Sequence, residues 1–385
     1  MTARVLFHVQ HLLGTGHLRR AATIAAALVR QGFLVELVSG GMPLAGLALG
    51  GATLVQLPPM RAADPTFRVL VDAQGAPVDE VWKSRRRAML LARLDAFAPD
   101  VVITELFPLG RRALSYELVP LVEAASQRRP RPLILASVRD ILAIKTDEAK
   151  RDEMIARVRA WYDRVLVHGD RALIPLAASF PEEQIADRVV YTGYIDGEDG
   201  PKPPPGDGED EIIVSVGGGA VGEHLLRTAL AARAAGAARV RRWRILIGAD
   251  LAAPIRAELA VRIEPGCIVE PARRDFRGLL RRCHVSVSQA GYNTAMDVLT
   301  TRARAVFVPF ASGGESEQTQ RAAALVQRGW ARMVPEAELS PSRLAEAIEQ
   351  AGRSVRPDCD WVRMNGAVES ARLVQAWLME QSVSV

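Results

Sequence analysis

Apolar and polar positions follow two periods along this chain of 385 residues. Short runs of branched aliphatic residues read as strands, and longer stretches with apolar residues every three or four positions read as helices. VLFHVQ (5–10) runs through a glycine turn into a helix over 17–31. Strands are expected at 34–40, 53–58, 101–106, 133–140, 164–170 and 189–194, with helical spacing over 79–97, 115–127 and 147–161. Strands and helices that alternate in this way predict βαβ units and a parallel sheet.

The pattern breaks at IDGEDGPKPPPGDGEDE (195–211), where prolines, glycines and acids leave almost nothing to bury. This stretch reads as a linker, taken as 197–210. Alternation restarts with IIVSVGGG (212–219), WRILIGA (243–249), CIVEP (267–271), VSVSQ (285–289) and AVFVPF (305–310), and helices are expected at 222–235, 293–301, 317–328 and 341–351. A last helix over 360–379 offers Trp361, Met364, Val368, Leu373 and Trp377 for burial. The chain is too long for one typical core. The expected fold is α/β, with doubly wound Rossmann-like domains at 1–196 and 211–358 and a terminal segment, 359–385, packing back towards the first. Two such domains would face each other across a cleft, with ligands at the carboxyl ends of the strands.

Composition narrows the class. With 49% hydrophobic and 24% charged residues the chain is an ordinary globular one. No run of 18 apolar residues exists to cross a bilayer. The start, MTARVLFHVQ, lacks an apolar leader and a cleavage site, so a cytoplasmic location is expected, with a peripheral position at the inner membrane face also open. Cys267, Cys283 and Cys359 are odd in number and far apart, which argues against a disulfide framework and a zinc site. Of 49 basic residues only four are lysines, an excess of arginine that compositional bias explains. Lys83, Arg85, Arg86 and Arg87 beside Trp82 could meet an anionic membrane surface, but the helical wheel gives no clean polar face there, and a solvated face is the expectation.

Four loops carry candidate chemistry. VSVSQAGYNTAMD (285–297) reads as strand, glycine turn and helix start, which presents free N–H groups and a helix dipole to a phosphate. Asp297, about one turn on, could accept from ribose hydroxyls; the plainer alternative makes Asn293 an N-cap and Asp297 a dipole-compensating acid. GTGHLRRA (14–21) sets His17 near a helix start, where the dipole favours a neutral imidazole able to take a proton, unless it is only a cap. SVGGGAVGEH (215–224) ends a strand on three glycines, which suits close approach of backbone to phosphate oxygens; a tight turn is the alternative, and the spacing is not that of a P-loop. VPFASGGESEQTQRAAAL (308–325) sets Glu317 beside Gln318, a pair able to accept from and donate to sugar hydroxyls, or merely to cap a helix.

Taken together, GGG, AGYNTAMD, VFVPF and EQTQRAAAL resemble the donor-binding domain of GT-B glycosyltransferases of family 28, the group of the peptidoglycan N-acetylglucosaminyltransferase and the galactolipid synthases. HLLGTGHLRRA, SVRDI (137–141) and TGYID (192–196) are similar to a bacterial group of predicted glycosyltransferases of that superfamily. The resemblance implies that Gly217, Gly218, Gly219 and the turn Gly291, Asn293, Thr294 contact a donor diphosphate, with Gly16 added from the first domain. It implies ribose at Asp297, where relatives often carry Glu, donor sugar at Glu317 and Gln318, and the base near Ala272 and Arg273.

The expected activity is inverting, metal-independent transfer of a hexose from a nucleotide sugar, taken as a UDP-sugar, to the hydroxyl of a small-molecule, glycan or lipid-linked acceptor. No cofactor and no nucleic acid are implied. His17 or Glu105 would be the base; Glu105, at the end of VVITELFPLG, could equally pair Arg111 or Arg112. A nucleotide-sugar hydrolase or epimerase of the same shape, or a non-catalytic binder, are the rival readings.

Overall fold

Buried aliphatic strands with polar residues at their ends dominate both halves of the chain. The computed structural model describes residues 2–63, 69–143, 147–197, 199–216, 222–248, 251, 253–261, 265–311 and 316–383. It divides into two units, Met1–Ile195 with Val362–Val385, and Asp196–Trp361.

In the first unit the strands are β1 (Arg4–Val9), β2 (Leu34–Ser39), β3 (Thr53–Gln56), β4 (Met60–Ala62), β5 (Leu70–Asp72), β6 (Val101–Glu105), β7 (Leu133–Arg139), β8 (Arg164–His168) and β9 (Val189–Tyr191). Its helices are α1 (Gly16–Arg30), α2 (Glu80–Phe97), α3 (Ser115–Gln127) and α4 (Glu148–Trp161). Seven strands form one sheet in the order β3-β2-β1-β6-β7-β8-β9, all parallel. β4 and β5, too short to show a period, pair antiparallel apart from it. The order reverses between β1 and β6, so the carboxyl ends of these two strands flank the point where a doubly wound sheet opens for a ligand.

The second unit holds β10 (Ile212–Ser215), β11 (Trp243–Ile247), β12 (Cys267–Pro271), β13 (Val285–Ser288), β14 (Ala305–Phe307) and β15 (Arg332–Met333), with α5 (Glu223–Ala235), α6 (Ala253–Val261), α7 (Phe276–Arg282), α8 (Tyr292–Thr301), α9 (Glu317–Gln327) and α10 (Pro341–Arg353). Its sheet runs β12-β11-β10-β13-β14-β15, parallel throughout, and reverses between β10 and β13. The pattern missed α6 and α7 for physical reasons: the one has only 9 residues, too few to show a helical period, and Gly278 with three arginines breaks the apolar stripe of the other.

The final helix, α11 (Gly366–Val383), belongs to the first unit and packs on α1. Its buried face is Ala367, Ser370, Ala371 and Val374, with Leu373 and Trp377 of the expected set packed against the same core; Trp361 precedes the helix and is 45% exposed, and Val368 is 55% exposed. Small residues face α1 because α1 itself presents Ala21, Ala22 and Ala25, and small residues on both helices allow a close approach.

The expected linker is not free chain either. Asp199 accepts from Arg281 Nη2 at 2.7 Å, Asp207 from Arg244 at 2.7 Å, and Pro203 lies so close to Gly278 that a Cβ there would meet it at 2.4 Å. Its acids find arginines of β11 and α7, and the stretch packs on the second unit.

Candidate functional site

At the reversal in the first sheet, α1 starts directly after the β1 turn. Thr15 caps it without a side-chain bond, and no acid stands in its first turn. Gly16 is its first residue and His17 its second. Glu105 closes β6 in register with Ser137 of β7, so both side chains fall on the α1 face of the sheet. His17 Nδ1 lies 3.0 Å from Glu105 Oε1. An ionised carboxylate only accepts, so this bond needs the proton on Nδ1 and leaves Nε2 its lone pair; Arg20 Nη2, 3.1 Å from the same nitrogen, then bonds Glu105 and not the ring. Arg20, one turn along α1, also donates to Oε1. Ser137 Oγ donates to Oε2 at 2.6 Å.

The sequence left His17 and Glu105 as rival bases; the structure joins them as a pair. The Glu105 side chain has no exposure, whereas His17 retains 15%. Burial works to raise the Glu105 carboxyl, but Arg20 and the bonds from His17 and Ser137 outweigh it and hold the group below the usual carboxylate range. Burial pushes His17 down to about 3, against the pull of Glu105, with Arg111, Arg20 and Arg139 adding to the depression. The site therefore contains an ionised Glu105 and a neutral His17 over the working pH range. The alternative pairing of Glu105 with Arg111 or Arg112 is not the one formed: Arg112 pairs Glu153, and Arg111 acts on Glu105 only through its charge, its buried Nε having no hydrogen-bond partner among the described residues.

Pattern reading missed Arg20, Ser137, His168 and Thr192. The signal was there in ASVRD, VLVHGD and VVYTGY, whose apolar runs each end on a polar residue that a buried strand end would not otherwise carry. The basic run on α2 was misread in one position. Arg86 is fully buried, with all five N–H groups used: two on Glu117 (2.7 and 2.9 Å), one on Gln10 (2.5 Å), and one each on the carbonyls of Gly40 and Pro58 (both 2.9 Å). It ties the carboxyl ends of β1 and β2 to α3 and is no part of a solvated face or a membrane-facing one.

In the second unit the reversal lies between the turns after β10 and β13. Gly217, Gly218 and Gly219 lie outside the described residues. Gly291 is the N-cap of α8, and a Cβ there would meet nothing within 4 Å, so the space before the helix is open. The helix starts at Tyr292, so Asn293 and Thr294 are its second and third residues and Asn293 is not the cap. Among the described residues no side-chain cap bond and no first-turn acid occupy this end, so the N–H groups of the first turn are uncapped by the helix itself.

The side chains assigned around this turn have partners within the protein. Gln318 Oε1 accepts from the N–H groups of Ala290 (3.0 Å) and Phe310 (3.1 Å). Glu317, buried, holds Arg321 at 2.7 Å, and Arg321 Nη1 donates to Ala290 O at 2.8 Å. The Ala290 residue, immediately before the turn, is thus clamped by α9 at both its N–H and its carbonyl. Asp297 accepts from Arg277 Nε at 2.6 Å, and Arg277 also reaches Gly197 O at 2.6 Å and Asp196. Burial raises the Asp297 carboxyl against the pull of Arg277, and its side chain stays 22% exposed. Arg273 is pinned by Asp275 (2.8 Å), Asp207 (2.6 Å) and Glu270 (3.2 Å), bonds that hold its guanidinium above its usual range, while Ala272, exposed, bonds only through its backbone to Ile247.

Comparison with known proteins agrees with this architecture. Residues 214–354 match the family model of the glycosyltransferase family 28 C-terminal domain. A UDP-N-acetylglucosamine–N-acetylmuramyl-(pentapeptide) pyrophosphoryl-undecaprenol N-acetylglucosamine transferase of Rhizobium etli is 29% identical over 87 residues, 23% of either chain. The Brucella canis protein of the same name is 32% identical over 83 residues, 22% of either chain. The match thus spans less than a quarter of these relatives. The calicheamicin glycosyltransferase CalG4 superposes with a TM-score of 0.62 at 16% identity, covering 100% of this chain and 98% of that one. The Acinetobacter baumannii MurG gives 0.58 at 17%, covering 97% and 99%, and the spinosyn rhamnosyltransferase SpnG with thymidine diphosphate 0.63 at 14%, covering 98% and 96%. The fold is that of the GT-B glycosyltransferases, and the family 28 resemblance of the second unit holds.

Proposed function

We propose that this chain is an inverting glycosyltransferase that moves a sugar from a nucleoside diphosphate sugar to an acceptor hydroxyl. The observation that carries the reading is the His17–Glu105 pair, a neutral imidazole with its outer nitrogen unprotonated, held by a buried carboxylate at the reversal of a doubly wound sheet. In the proposed step His17 Nε2 takes the acceptor hydroxyl proton as the oxygen attacks the anomeric carbon. The bond from that carbon to the diphosphate breaks, its electron pair goes to the leaving oxygen, and a single displacement inverts the centre. Glu105 stabilises the imidazolium that forms. The uncapped N–H groups at the start of α8 suit the negative charge gathered on the diphosphate. Asp297, with an exposed edge, is kept as the ribose contact, and transfer is expected to need no added divalent cation.

Two kinds of relative bear on the donor. The curated ones are named for UDP-N-acetylglucosamine, and two structural neighbours, VinC and SpnG, are in complex with DTDP and thymidine diphosphate. A UDP-sugar is the first donor to test and a TDP-sugar the second. The acceptor is a small-molecule, glycan or lipid-linked alcohol. The experiment is nucleoside diphosphate release from UDP- and TDP-sugars with and without an acceptor panel, with and without EDTA. Release that depends on acceptor and survives EDTA supports the reading. Release independent of any acceptor would make the protein a hydrolase, and binding without release a non-catalytic receptor.

A further inference from the structure

The base is the outer end of a longer hydrogen-bond chain. From His17 Nδ1 it passes to Glu105 Oε1 (3.0 Å), from Glu105 Oε2 to Ser137 Oγ (2.6 Å), from Ser137 Oγ to His168 Nε2 (2.9 Å), and from His168 Nδ1 to Thr192 Oγ1 (2.9 Å). Glu105, Ser137, His168 and Thr192 are all buried. Sheet register sets them in line: Glu105 stands opposite Ser137, Ser137 opposite Leu166 two places before His168, and the Thr192 N–H is bonded to Val167 O just past β9.

The charge on Glu105 fixes the direction of each proton. A carboxylate only accepts, so Ser137 gives it its one hydrogen. The Ser137 oxygen must then accept from His168, whose ring proton is therefore on Nε2. His168 Nδ1 is then the acceptor, 2.9 Å from Thr192 Oγ1, whose single hydrogen it shares with Gly193 O at 3.0 Å. Burial pushes His168 down to about 3, so the ring stays neutral and carries a single proton. With that proton on Nδ1 instead, Ser137 would turn its hydrogen to Nε2 and Glu105 Oε2 would lose its donor. The charged groups around the chain are Arg20 beside both histidines and Glu105, and Arg111 and Arg139 towards His17.

We propose that His168 is a positioning residue for the transfer step: its Nε2 proton makes Ser137 a donor to Glu105 and so keeps the carboxylate ionised and turned to His17. The proposal rests on the reading of His17 as the base.

The test compares His168→Gln with His168→Asn in the full-length chain. The glutamine amide nitrogen reaches the place of Nε2, whereas asparagine reaches only the place of Nδ1. His168→Gln is expected to keep kcat within about threefold of wild type, and His168→Asn to lose roughly 10- to 100-fold with donor KM unchanged, the scale on which outer hydrogen-bond partners act. Ser137→Ala should match the asparagine variant. Glu105 raises the His17 pKa, so the acidic limb of the pH profile should move lower in these two variants. Equal activity of the glutamine and asparagine variants, high or low, would overturn the proposal. Nitrogen-15 NMR of histidine-labelled wild type gives a readout that depends on neither folding of a variant nor turnover: the Nε2–H tautomer at His168 is expected, and the Nδ1–H tautomer would overturn the proposal. If His17→Ala leaves transfer intact, the reading of the base fails while the tautomer result still stands.

Discussion

The two sheets open at equivalent points, yet the polar groups at those points are used differently. In the first unit side chains bond side chains: Glu105, Ser137 and His168 form a buried series that ends on the partly exposed His17, with Arg20 as counter-charge. In the second, side chains bond the backbone: Gln318 and Arg321 hold Ala290, and the N–H groups of the following helix start carry no side-chain cap. On the proposed reading the first arrangement tunes the protonation of a single ring, and the second shapes a strip of main chain for a diphosphate. A base needs a fixed pKa and a fixed direction, and buried side chains supply both. An anion carried by many different sugars needs only a surface of N–H donors, and a held turn supplies that.

This contrast breaks first if the division of labour is wrong. His17→Ala is expected to lower transfer by roughly 10² to 10⁴, the worth of a positioned general base, while leaving donor affinity within about 1 kcal/mol by calorimetry. Glu105→Gln should fall in the same range, because it removes the charge that stabilises the imidazolium. Loss of donor binding in either variant would move the glycine and histidine turn to the diphosphate site.

The burial of the first unit's polar groups can be tested through stability. Arg86→Met leaves the Glu117 carboxylate buried without its cation, and a loss of roughly 3 to 5 kcal/mol is expected in denaturant unfolding. A loss below about 1 kcal/mol would mean that water reaches the pair. Acid should act in the same direction. His8, His17 and His168 are each pushed down to about 3, mainly by burial, from an ordinary value of 6.5. The unfolded chain therefore binds protons that the folded one refuses. Stability should be flat above about pH 6.5 and fall below it, by up to about 1.4 kcal/mol per pH unit for each histidine, until pH approaches 3.

A smaller effect separates two readings of α9. If Gln318 gripped the donor sugar, Gln318→Ala would weaken a nucleotide sugar and spare the free diphosphate. Because its Oε1 clamps Ala290 and Phe310 instead, its loss should loosen the turn and weaken both ligands to a similar extent. A selective loss for the sugar-bearing ligand would restore the gripping role.

Twelve strands read from alternation all exist, because buried parallel strands leave continuous apolar runs. Both turns at the sheet reversals were legible as well, since glycine before a helix start is a local signal. Partnership across the sheet was not. Nothing in VVITEL says that Glu105 meets His17 and Arg20, 88 and 85 positions away, and nothing in EQTQR says that Gln318 folds back on Ala290. Arg86 shows the same limit, since a helical wheel sorts residues by polarity and cannot see that one arginine has five acceptors waiting.

The smallest expected effect is one that a free imidazole would show and this one should not. A histidine titrating near 6.5 would give transfer a steep acidic limb between pH 7 and 5.5. His17 is pushed down to about 3 by burial, which outweighs the bond to Glu105. Its neutral, proton-accepting form therefore persists through that range, and the limb belongs below it. The transfer rate of the folded enzyme should change by less than about threefold from pH 7.5 to 5.5, measured at saturating donor and acceptor and over times too short for unfolding. Removing the burial should bring the limb back. Leu18 is buried against the same sheet face, and Leu18→Ala opens space for water beside the first turn of α1, so its profile should bend at a higher pH than that of wild type. A wild-type limb near 6.5 would show that the ring is solvated during turnover, and the buried character assigned to the first site would then belong to the resting protein alone.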